Sequence, residues 1–192
     1  NAGEVRIELE HAAADQKPAI YSAGVPAPTD DQFDELVWFD DEPPPGAKID
    51  GSEGANSFHW TSLQEGPVKS GQLAIHRRAK GQAQQFFLAG ENGIRVRWGD
   101  RLMAYAHLDP KSPPREVMLQ FITEDGKWRR AYWGEDVIGL GSNGTPERMP
   151  MGELPKPRHW MRLEVPIERL GLADGAVITG WSLTQHDGVM WW

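Results

Sequence analysis

Six histidines, His11, His59, His76, His107, His159 and His186, are scattered along the 192 residues. None falls at the i, i+2 or i, i+4 spacing of a compact metal site. A lone histidine in a β-domain is ordinarily a hydrogen-bonded structural residue. Three carboxylates stand out instead. Asp40 and Asp41 end the first strand expected in the body of the chain, and Asp187 sits at the turn before the last. First and last strands commonly lie side by side in jelly rolls. With carbonyls from the Gly/Pro-rich loops, these three form a candidate oxygen cage for Ca²⁺. The competing reading is an Asp that starts a turn by accepting its own backbone N–H.

Catalytic arrangements are missing from the sequence. Glu135 and Asp136 are adjacent, so on a strand they point apart and do not make the facing acid pair of a glycoside hydrolase. No Ser-His-Asp spacing, phosphate-cradling glycine loop or zinc-helix motif occurs. Asn143-Gly144-Thr145 matches a glycosylation sequon, but Asn-Gly is first a turn signal. There is no Cys, which excludes a disulfide framework, a thiolate metal site, a Cys nucleophile and attached haem in this chain. The residues predict a binding domain, not an enzyme.

Binding chemistry is suggested by nine Trp, more than a core of this size needs. Most should plug the core, leaving two or three for a surface. Strand alternation over Arg101–Leu108 turns Leu102, Ala104, Ala106 and Leu108 inward and Tyr105 and His107 outward. Over Val117–Ile122, Val117, Leu119 and Phe121 point in and Gln120 points out. The strand Trp128–Trp133 is aromatic on both faces. If these strands are neighbours, Tyr105, His107, Gln120 and members of the Trp128–Trp133 strand line one outer face, and Trp133, Tyr105, Gln120, Arg130 and His107 are the candidate ligand residues. Aromatic plates beside imidazole, amide and guanidinium groups suit a sugar: the plates cover pyranose C–H faces and the polar groups bond hydroxyls. The alternative is that the long segment 134–158 covers these residues and they merely hold it.

The elements that must position them are β-strands. Leu36–Phe39, Phe58–Thr61, Gln72–Arg77, Gln82–Leu88, Ile94–Trp98, Arg101–Leu108, Val117–Ile122, Trp128–Trp133, Trp160–Val165, Val177–His186 and Val189–Trp192 are short apolar or alternating runs. Gly, Pro, Asn and Asp separate them. Ile167–Leu172 predicts one helical turn. Short strands at this spacing predict an all-β, jelly-roll-like antiparallel β-sandwich over 36–192. Residues 1–35 read as a leader or linker, with a short helix over 4–14 from the spacing of Val5, Leu9 and Ala12. The chain stops at Trp192 within a strand, the pattern of a piece of a longer protein. A net charge of −8 opposes a phosphate-tracking surface and an anionic membrane, so neither nucleic acid nor membrane insertion is expected.

Several stretches carry a family likeness: Val37-Trp38-Phe39-Asp40-Asp41 with Pro44-Pro45-Gly46, Leu108-Asp109-Pro110, Val117-Met118-Leu119-Gln120, Arg130-Ala131-Tyr132-Trp133-Gly134, Trp160–Val165 and Gly180-Trp181 with Asp187-Gly188. Together they resemble a domain embedded in large planctomycete proteins that also carry c-type cytochrome domains, and in some bacterial Rhs-repeat surface proteins. The likeness spans about residues 36–192. It implies a non-catalytic module of an exported periplasmic or cell-surface protein, binding polysaccharide or oligosaccharide, with haem left to other domains. His107 and His186 stand where the pattern has apolar or aromatic residues. An interaction domain that docks flanking domains of its parent protein is the alternative.

Overall fold

A computed structural model describes residues 7–12, 33–39, 41–50, 58–89 and 93–192. The described chain is all-β. In order it runs β1 (Ile7–Ala12), β2 (Phe33–Phe39), β3 (Lys48–Asp50), β4 (His59–Ser62), β5 (Leu73–Arg78), β6 (Gln82–Leu88) and β7 (Ile94–Arg95). Then come β8 (Arg101–Leu108), β9 (Glu116–Thr123), β10 (Trp128–Gly134), β11 (Met149–Gly152) and β12 (Trp160–Pro166). One 3-10 turn (Ile167–Leu170) precedes β13 (Val177–His186) and β14 (Val189–Trp191).

The strands form two sheets. In the first, β12 runs along one edge of β8, while β1 and β14 share the other edge; β2 extends β1, and β5 and β4 extend β14. The second has the order β11-β10-β9-β13-β6-β3, with β7 on the far end of β13. Pairing is antiparallel except between β10 and β11. Alternation dictates the layering. Leu102, Ala104, Ala106, Leu108 and Leu163 from the first sheet meet Val117, Leu119, Phe121, Phe87 and Leu183 from the second in one buried cluster. Trp181 sits fully buried among them, with Phe87 stacked at 4.9 Å, Phe39 at 4.8 Å and Trp38 at 4.3 Å between ring centroids. The turns are the ones their residues dictate. At Glu124-Asp125-Gly126, Gly126 takes φ 77° and closes β9 on β10.

The sandwich expectation holds, with three corrections. Residues 7–12 form a strand where a helix was expected. The run Ile7-Glu8-Leu9-Glu10 alternates strictly, and two sheet neighbours pair with it. The segment expected to be a leader thus supplies a strand, and β2 crosses the expected boundary at 35/36. Within 134–158, Met149–Gly152 is a strand parallel to β10. Finally, β8 and β9 are not neighbours. The proline-rich segment 109–115 carries the chain from the first sheet to the second.

Candidate functional site

That crossover divides the five expected ligand residues. Tyr105 and His107 lie on the outer face of the first sheet, whereas Gln120 and Arg130 lie on the outer face of the second. Trp133 is on neither: it points into the core and is 8% exposed. On β10 the outward residues are Trp128, Arg130 and Tyr132, opposite Ile122, Gln120 and Met118 of β9.

The outer face of the second sheet is built in rows. Phe86, Ser182, Gln120 and Arg130 stand in register across β6, β13, β9 and β10, with Gln84, Thr184, Met118 and Tyr132 in the next row. A hydrogen-bonded chain links them. Arg130 Nε donates to Gln120 Oε1 at 2.7 Å, and Gln120 Nε2 donates to Thr184 Oγ1 at 2.6 Å and Gln84 Oε1 at 3.2 Å. Ser182 and Thr184 share a further bond at 3.2 Å. The middle of this chain is buried, and its ends, Gln84 and Arg130, reach the surface half-buried. Arg130 also donates from Nη1 to the Glu147 carbonyl at 3.1 Å. Burial pulls its guanidinium below the ordinary value, but an arginine stays charged there.

Above the polar chain lie two aromatic rings. Phe86 and Trp128 meet at 5.5 Å although their strands are separated by β13 and β9. They can approach because β13 offers only Gly180 and Ser182 beneath them. A Cβ on Gly180 would stand 2.5 Å from the Phe87 carbonyl oxygen and 3.0 Å from Ile122 Cγ2. The Arg130 guanidinium lies 5.7 Å from the Trp128 ring centre. Both rings are half-buried, and Leu88 beside them is exposed.

The segment 135–148 closes the other half of this face. Ile138 and Leu140 pack on Met118 and Tyr132. Glu116 anchors the segment: its Oε2 accepts the N–H groups of Val137 (2.8 Å) and Ile138 (2.7 Å). Burial pushes the Glu116 carboxyl up to about 7, against the pull of those two N–H groups. Asp136 pairs with Arg148 at 3.1 Å and accepts from Asn143 Nδ2 at 2.7 Å, and the Tyr132 hydroxyl bonds Asn143 Oδ1. Beyond this segment a cleft of about 680 Å³ is lined by Pro113, Pro114, Tyr132, Pro150 and Leu154, with Arg115 and Glu135 paired at its rim.

His107 joins a different aromatic row, which crosses five strands of the first sheet, while Tyr105 stands opposite Arg162 on the same face. Trp160, His107, Trp191, His76 and His59 stand in register. The first four rings follow at 5.5, 5.6 and 4.8 Å. Residues 63–71 lie over its centre. Lys69 caps the Tyr105 ring at 4.5 Å, and a Cβ on Gly66 would stand 2.6 Å from Trp191 Nε1.

The calcium cage is not assembled by the described residues. Asp40 lies outside them. Asp41 follows β2 at the margin of the first sheet, whereas Asp187 follows β13 at the centre of the second, and β2 pairs with β1. Asp187 is a turn residue at φ 59°; its Oδ1 accepts the Gly81 N–H at 2.6 Å and its Oδ2 lies 3.1 Å from His186 Nδ1. The Gly81 N–H, more than any other partner, holds its carboxyl below the ordinary range. Among the described residues no group of three His, Cys, Asp or Glu is placed to hold a metal ion.

Sequence reasoning passed over Phe86, Gln84, Ser182 and Thr184. Alternation carried their signal: Gln82, Gln84 and Phe86 share one parity on β6, and Ser182 and Thr184 oppose Trp181 and Leu183 on β13.

No family model matches the chain, and no curated protein matches it in sequence. Among solved structures, one described as concerning the promiscuous specificity of carbohydrate-binding modules from the β-sandwich superfamily is similar at a TM-score of 0.41. The identity is 8%, over 98% of this chain and 83% of that one. Likeness at that level does not fix a common fold.

Proposed function

We propose that the domain is a non-catalytic glycan-binding module, and that it binds on the open half of the second sheet's outer face. The observation that carries this reading is the pair of rings, Phe86 and Trp128, laid over the continuous polar chain Arg130–Gln120–Thr184. Sugars present apolar C–H faces ringed by hydroxyls. A site for them needs aromatic surface bordered by planar donors and acceptors whose positions are set beforehand. Here Trp128 and Phe86 supply the surface, and Arg130 and Gln84 the border. Gln120 is the positioning residue: it holds the Arg130 fork through Nε, so little side-chain entropy is lost when a hydroxyl arrives. The exported, multidomain setting is supported by the family resemblance alone.

Affinity electrophoresis through gels containing neutral and anionic polysaccharides tests the proposal. Retardation on at least one is expected, abolished by Trp128→Ala and reduced by Arg130→Ala. Free migration on every polysaccharide would contradict it. The second reading, docking of a flanking domain, is favoured by Leu88, 40% exposed beside the same rings. It predicts binding of the parent protein's adjoining segments in trans, lost in Leu88→Ser and in Trp128→Ala, with no retardation by any polysaccharide.

A further inference from the structure

We propose that His59 and His76, opposed on neighbouring strands, form a two-imidazole site for a divalent transition-metal ion on the outer face of the first sheet. The two residues are 17 apart in sequence (76 − 59), so no local spacing betrays them, but the antiparallel β4–β5 ladder sets them directly opposite each other. Opposed side chains on one face of such a pair have Cβ atoms about 4.5–5.5 Å apart. That separation lets two imidazole nitrogens meet one ion at about 2.0–2.1 Å each, with water filling the remaining positions.

Two features beyond proximity point to a ligand. First, the His76 ring is already held: it stacks on Trp191 at 4.8 Å and 28°. His107 meets the same indole edge-on at 5.6 Å, and Gly66 packs against its Nε1. A ligand ring immobilised by packing loses little freedom when it coordinates. Second, His59 is exposed, so an ion reaches the pair from solvent. An imidazole coordinates through one nitrogen and offers the other to a hydrogen bond. With imidazole donors and water, affinity should follow the usual order, copper above nickel and zinc.

The test titrates Cu²⁺ into the intact chain and reads tryptophan emission, because an ion on His76 lies against Trp191 and quenches it. Zn²⁺ additions with imidazole ¹⁵N shifts identify the ligands. One equivalent should saturate the quenching, and the His59 and His76 nitrogens should shift first. His59→Gln and His76→Gln should each weaken the apparent Kd about tenfold or more, and Trp191→Phe should remove most of the quenching while leaving the zinc-induced shifts. His159→Gln, an exposed histidine, should bind as the parent does. Equal affinity in His59→Gln and the parent would overturn the proposal, as would an equal loss in His159→Gln, which marks unspecific surface binding. His59 is exposed, so its substitution decides the matter even if His76→Gln fails to fold.

Discussion

Trp128 and Trp133 belong to one strand and do opposite work. The first lies on the outer face beside Phe86 and Arg130, and the second is buried with Val117 opposite it. Trp133→Ala should therefore cost about 3–5 kcal/mol of stability, the range for truncating a buried aromatic. A denaturant titration would show this, and any binding lost would follow from unfolding. Trp128→Ala should leave stability within about 1 kcal/mol and still remove glycan retention. In the sequence both faces of Trp-Arg-Arg-Ala-Tyr-Trp are aromatic, so alternation alone could not say which parity meets the core. Registry with Val117, Leu119 and Phe121 of β9 decides it.

At the scale of elements, the segment 135–148 is fastened to β9 by a carboxyl that is costly to charge. Glu116 has a raised pKa of about 7 in the fold, against an ordinary 4.5. Between those values the folded chain holds a proton that the unfolded chain has released. This contribution is present in full below about 4.5 and lost as pH rises through about 7. Glu116→Gln removes the titration. Between pH 5 and 8 the parent should lose on the order of 2 kcal/mol relative to that variant, seen in paired thermal or urea unfolding series. His76 and His107, whose pKa values burial lowers, act in the opposite direction, but both proteins carry them and the difference cancels them. The anchor was hidden in the sequence because Glu116 opens an apolar run and reads as a surface residue. Its partners, the Val137 and Ile138 N–H groups, come from the returning segment. The helix expected over 4–14 failed for a related reason: a six-residue strand such as Ile7–Ala12 is decided by the partners that pair with it.

Over the whole molecule, strand positions were legible because each apolar run is bounded by residues that cannot continue a ladder. The inward sets on β8 and β9 were legible from period two. Sheet membership was not. The passage from β8 to β9 has the same look as a hairpin, and only long-range pairing of β9 with β13, and of β8 with β12, separates the two sheets. That one crossover placed Tyr105 and His107 on the opposite side of the sandwich from Gln120 and Arg130, and so turned a single expected aromatic face into two. The face that carries Phe86 and Trp128 is the one assigned to glycan. A polysaccharide that retards the parent chain should therefore be used to compare Trp128→Ala with Trp160→Ala, whose rings lie on opposite sheets. Trp128→Ala should migrate freely while Trp160→Ala is retarded like the parent. Retardation of Trp128→Ala with free migration of Trp160→Ala would place the site on the first sheet and contradict that assignment.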